Sequence, residues 1–135
     1  MKASTGALPG ISPGISKIGQ IAVLVSDVAR AEAFYRDVLG LRHLFTVDGK
    51  LAFFDCGGTR LMLAPPENGQ EWHPGSILYF LVPDIAAAFG RIEAQGAKIV
   101  DAPHLIAKMP DHELWMGFFQ DSEGNTLSLM AEVRP

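Results

Sequence analysis

Four histidines, His43, His73, His104 and His112, are the side chains in this sequence best suited to bind a metal or move a proton, with Asp111, Glu113 and Glu132 as carboxylate partners. Their spacing is poor for chelation. His112 and Glu113 are consecutive residues of a strand, which point to opposite faces. Each histidine also suits an ordinary surface or loop position. Acid-base catalysis by His104 or Glu113 is a weaker option that no spacing singles out. The single cysteine, Cys56, leaves no disulfide framework and no cysteine cluster for zinc. Beside a glycine pair it reads as a packing residue of a turn. Trp115 is the strongest candidate for a ligand-stacking side chain, because an indole can lie on a planar molecule while its N–H finds a partner. Arg60 could anchor an anion, although an exposed strand-edge arginine is the plainer reading.

The elements that must position these residues are legible from apolar periodicity. Ile18–Val25 reads as a strand, Asp27 as an N-cap, and the following ARAEAFYRDVLG as a helix closed by Gly40. Leu41–Val47 and Leu51–Asp55 flank the Asp48-Gly49 hairpin signal, and Arg60–Ala64 ends the set before Pro65-Pro66. Glu67–Gly75 is a polar connector. The order then repeats: strand Ser76–Val82, cap Asp84, helix Ile85–Gln95, Gly96, and strands near Lys98–Val100, His104–Lys108, Leu114–Gln120 and Asn125–Met130.

The repeat can be placed in register. Asp27 and Asp84 are 57 residues apart, and the helix-ending Gly40 and Gly96 are 56 apart. A βαβββ unit thus occurs twice. Two units are too few for a solenoid, so a pseudo-symmetric pair sharing one core is expected. The 135 residues, with 48% apolar side chains, suffice for one domain. Its expected limits are 17–132, with module one near 17–66, module two near 76–132, and a flexible tail at 1–16 that fails as a signal peptide.

A formal charge of −4 with no Lys/Arg cluster argues against nucleic acid as a partner. Apolar runs such as Ile77–Val82 are too short to span a bilayer, so no membrane partner is expected. One cysteine suits a reducing, cytoplasmic setting.

Three strings, Val25-Ser26-Asp27, Phe34-Tyr35-Arg36-Asp37-Val38-Leu39-Gly40-Leu41 and Asp121-Ser122-Glu123-Gly124-Asn125, together with the duplication, resemble the vicinal oxygen chelate superfamily of glyoxalases, bleomycin-resistance proteins and dioxygenases. The resemblance implies an α+β fold of two tandem βαβββ modules whose mixed sheets curl into a cup. It also implies a homodimer, because members often pair and sometimes share cups. In metal-dependent members a divalent ion is held from the first and last strands of each module. Those positions carry over to Gln20, Leu63, Ile77 and Ser128. Only Gln20 is a plausible ligand, and a slip of one residue gives Met62, Ala64, Ser76, Leu78, Leu127 and Leu129. No cofactor is therefore expected, and a divalent metal only at a non-standard site.

A metal-free cup would be lined by apolar and aromatic side chains with a few polar anchors. Strand alternation, carried from the positions above, nominates Gln20, Tyr79 and Ser128. The His104–Phe119 stretch adds His104, Trp115 and one of the Phe118-Phe119 pair, Phe119 being preferred. The expectation is a protein that binds or sequesters a small, partly aromatic or hydrophobic molecule. The alternative is a lyase, isomerase or dioxygenase with a displaced metal site.

Overall fold

The computed structural model describes residues 12–135. The tail expected over 1–16 lies outside the described residues as far as position 11. Two four-stranded mixed sheets carry the chain. In module one, β1 (Gln20–Leu24), β2 (Arg42–Val47), β3 (Leu51–Cys56) and β4 (Thr59–Ala64) lie in the order β1-β4-β3-β2. In module two, β5 (Leu78–Leu81), β6 (Lys98–Lys108), β7 (Glu113–Gln120) and β8 (Thr126–Val133) repeat it as β5-β8-β7-β6. The first and last strands of each module are parallel and the other pairs antiparallel. The tandem βαβββ architecture expected from the repeat is the one observed.

Helix α1 (Val28–Ala33) runs into a π-helical turn, Phe34–Val38, whereas α2 (Ile85–Ala94) is a plain α-helix. Both start at the predicted aspartates: the Asp27 carboxylate accepts from the Arg30 amide, and that of Asp84 from the Ala87 amide. The π turn is marked by the Leu39 amide donating to the Phe34 carbonyl five residues back, at 3.1 Å. It accounts for the repeat offset falling from 57 to 56 along the helix, since module one carries one more residue there. Glycines at the ends of both helices adopt left-handed backbone, Gly40 at φ 71° and Gly96 at φ 94°.

Each helix covers one face of its own sheet. Val28, Ala31 and Tyr35 pack with Ala52, Phe54, Leu61 and Leu63; Ile85, Phe89 and Ile92 pack with Phe119, Leu127, Leu129 and Ala131, and together they form one core. The two strands expected near Lys98–Val100 and His104–Lys108 join into the single β6, whose pairing with β7 slips around Pro103. Proline has no amide to offer the ladder, which is why the sequence reads as a break. Among the described residues, no helix is long and apolar enough to cross a membrane.

The modules are fastened chiefly by one turn. Between β7 and β8, the Glu123 carboxylate accepts from the Ser26 and Asp27 amides at 3.0 and 2.9 Å and pairs with Arg30 at 2.7 Å. Asp121 accepts the Tyr35 hydroxyl at 2.8 Å, and the Asn125 side chain donates to the Leu24 carbonyl at 2.9 Å. The connector adds the Trp72 indole, which donates to that same carbonyl. The fold signature in the sequence is thus a clasp between modules.

Candidate functional site

Register determines what each sheet presents on the face away from its helix. In module one the open face is organised in rows that cross the strands. The first row is Arg42, Asp55, Arg60 and Gln20, and the second is Phe45, Phe53, Met62 and Ala22. Val47, Leu51, Ala64 and Leu24 follow at the far end. Phe45 stacks on Phe53 with ring centroids 4.6 Å apart. The Arg60 guanidinium lies 5.4 Å from the Phe53 centroid and donates through Nε to the Gln20 amide oxygen at 2.8 Å. The Gln20 nitrogen is 3.8 Å from the Met62 sulfur. The result is a polar edge beside an aromatic and thioether platform.

Module two presents comparable rows. Asp101, Phe118, Ser128 and Tyr79 form one, and His104, Met116, Met130 and Leu81 the next. Tyr79 meets Phe118 edge to face at 5.8 Å. On these faces Phe45, Tyr79 and Leu81 are exposed at 45%, 45% and 67%. Among the described residues, three sizeable clefts run between the modules. The most enclosed, about 220 Å³, lies between the β1 and β5 edges under His73, Gly75 and Ser76; the others line the helix ends and the β5 side. None of the three joins the two open faces.

The residues expected to line a cup divide accordingly. Gln20, Tyr79 and His104 lie on open faces, His104 at the sheet edge with Nδ1 against the Ala102 carbonyl. Trp115 and Phe119 do not. Both alternate onto the helix side, where Phe119 is fully buried, edge-on to Phe89 at 5.9 Å. Trp115 donates to Glu113 there and lines a cleft with Ile85 and Pro103. The adjacent Phe118 takes the open-face place given to Phe119. Ser128 is in an open-face row but buried, its hydroxyl donating to the Gly117 carbonyl at 2.8 Å, so it is bonded to backbone rather than offered to a ligand.

The metal positions carried over from the resemblance need one correction. Leu63 is buried under α1, and the β4 residues that share a face with Gln20 are Arg60, its direct partner, and Met62. A thioether, an amide, Ile77 and a backbone-bonded serine do not make a donor set for a divalent ion. Among the described residues, no three His, Cys, Asp or Glu side chains are grouped to hold one elsewhere. The nearest arrangement is a chain on the helix side of module one. There the Thr46 hydroxyl donates to Glu32 at 2.6 Å and lies 2.7 Å from His43 Nε2. Cys56 is half-buried and its thiol is pushed up by burial and then by Asp55, away from nucleophilic character.

The family model described as Glyoxalase/Bleomycin resistance protein/Dioxygenase superfamily matches residues 17–129. The chain belongs to that superfamily. No curated protein is a significant match. Among solved structures of the superfamily's fold, a lactoylglutathione lyase from Agrobacterium tumefaciens is 26% identical, with a TM-score of 0.68 over 87% of this chain and 94% of the other. A superfamily member from Sphaerobacter thermophilus DSM 20745 is 22% identical, with a TM-score of 0.68 over 87% and 98%. A glyoxalase-related enzyme from Fulvimarina pelagi is 19% identical, with a TM-score of 0.70 over 87% and 88%.

The open-face residues not nominated from the sequence are Phe45, Phe53 and Met62. Alternation from Gln20 would have nominated Met62 once β1 and β4 were paired in register. Phe45 reaches the side of Phe53 through a bulge at Leu44, for which the sequence carries no signal.

Proposed function

We propose that this superfamily member binds a small, partly aromatic or hydrophobic molecule in a cup built from open sheet faces, without a resident metal. The observation that carries the reading is the open-face Phe45-Phe53-Met62 row, in which Phe45 is exposed and Phe53 is buried beneath its neighbours. The row has the composition of a ligand wall, and its Met62 stands at a position where the resemblance would put an oxygen or nitrogen donor of a metal site. Each chain has two such faces, and covering one with its counterpart from a second copy would close the cup and bury the exposed aromatics. The homodimer and the ligand site are thus one proposal. A cytoplasmic setting accords with the single, unactivated Cys56.

Thermal unfolding in the presence of compound panels tests it, because a ligand bound only by the native state raises the midpoint in proportion to occupancy. Planar aromatic compounds are expected to raise the midpoint, and Phe45→Ala to reduce the shift. A panel that leaves the midpoint unmoved in every class counts against the reading.

The likeness to the lactoylglutathione lyase favours a second reading, an enzyme with a divalent ion at a displaced site. Elemental analysis separates the two. Stoichiometric metal, lost in His104→Ala or His112→Ala, would establish the enzyme in place of the binding protein.

A further inference from the structure

The first row of the module-one face has a feature that generic hydrophobic binding does not need. Arg60 is exposed, yet it is not left to solvent disorder: its Nε is fixed by Gln20 and its plane is seated near Phe53. Asp55 is its cross-strand neighbour and the obvious partner, but its carboxylate accepts the Gly58 amide instead, at 3.3 Å. The ion pairs among the described residues do not include Arg60, and its terminal nitrogens carry no hydrogen bond there. A guanidinium held by one edge, with its other edge unpaired, is a fork for a planar oxyanion.

The surroundings define the rest of the ligand. Arg42, Asp55 and Arg60 follow one another across the strands with a single positive charge in excess, which suits a monoanion better than a dianion. Beside them is Met62, and then Ala22, whose small side chain leaves a shallow place next to the stacked phenylalanines. A flat ring laid there would meet Met62 and the exposed Phe45, with Phe53, only 9% exposed, as their backing, while its substituent reached Arg60.

We infer that the ligand of this face is a planar aromatic monocarboxylate, with Arg60 as the carboxylate anchor, Gln20 as the residue that orients Arg60, and the Phe45-Phe53-Met62 row as the ring platform. The inference rests on the proposed ligand-binding role and names its substrate class.

The test compares 2-naphthoate with its neutral isostere 2-naphthamide by calorimetry on the full chain and on two variants. A charge-assisted fork is expected to favour the carboxylate by about 10-fold to 100-fold in the unmodified protein. Arg60→Gln is expected to bring the two compounds to equal affinity. Arg60→Lys, which keeps the charge but lacks the fork and guards against a misfolded glutamine variant, is expected to fall between. Equal affinity for both compounds in the unmodified protein, or a loss in Arg60→Gln that is the same for both, overturns the inference while leaving the binding role intact. Failure of both compounds to bind overturns the inference, and the compound panel above then decides whether the binding role falls with it.

Discussion

At the scale of single residues, Glu123 has the most to do. Its side chain is fully enclosed between two backbone amides and the half-exposed Arg30. The Arg30 guanidinium, foremost, holds its carboxyl at about 2, below the ordinary 4.5. A carboxyl depressed by folding stabilises the native state above its unfolded value, and that contribution declines as pH falls from 4.5 towards 2. Allowing for solvent at Arg30, its worth is on the order of 2 kcal/mol. Glu123→Gln is expected to lose about that much at pH 7 in urea unfolding and to flatten the acid limb of the stability profile. A second residue-scale prediction concerns Gly117. A Cβ there would lie 2.6 and 2.7 Å from two ring atoms of the buried Phe89 and 3.0 Å from the Pro103 backbone nitrogen. Gly117→Ala should therefore lower stability by about 1–3 kcal/mol through overpacking, read as a lower thermal midpoint.

At the scale of elements, the two helices invite a direct comparison. A π turn is a place where an α-helix holds one residue in excess, so removing one restores regular geometry on both sides. Deleting the exposed Arg36 inside the π turn is expected to leave a folded chain, although it weakens local ion pairing with Glu32 and Asp37. Deleting the exposed Arg91 from the regular α2 rotates every later residue of that helix by about 100° and takes Ile92 out of the core. Circular dichroism and thermal melts of the two deletion variants should differ sharply. The same comparison explains what the sequence could disclose. Helix caps, turn glycines and the repeat were legible because each depends on local chemistry: Asp48 and Gly49 both adopt left-handed backbone, at φ 52° and 64°, as an Asp-Gly hairpin should. Which neighbour takes the open face was not. A slip of one residue exchanges the faces of a strand, and that slip separates Leu63 from Met62 and Phe119 from Phe118. Pairing between distant strands determines it, and for Phe45 a bulge does so as well.

At the scale of the whole molecule, the exposed rows make association the central expectation. If the open faces of two copies cover one another, light scattering should give about twice the 14.6 kDa of one chain. Leu81→Asp, placing a charge on the most exposed of these apolar side chains, should shift the protein towards a single chain without unfolding it, since Leu81 is outside the core. A single-chain mass for the unmodified protein would dismiss the shared cup. The clasp between modules has a further bearing, on the order in which a ribosome delivers the halves. The Ser26 amide that opens α1 waits for Glu123, a residue 97 positions later, and the Tyr35 hydroxyl waits for Asp121, 86 positions later. Synthesis therefore completes the first module before the groups that lock its helix exist, and the nascent half must be guarded, or tolerate exposure, until the last hairpin emerges.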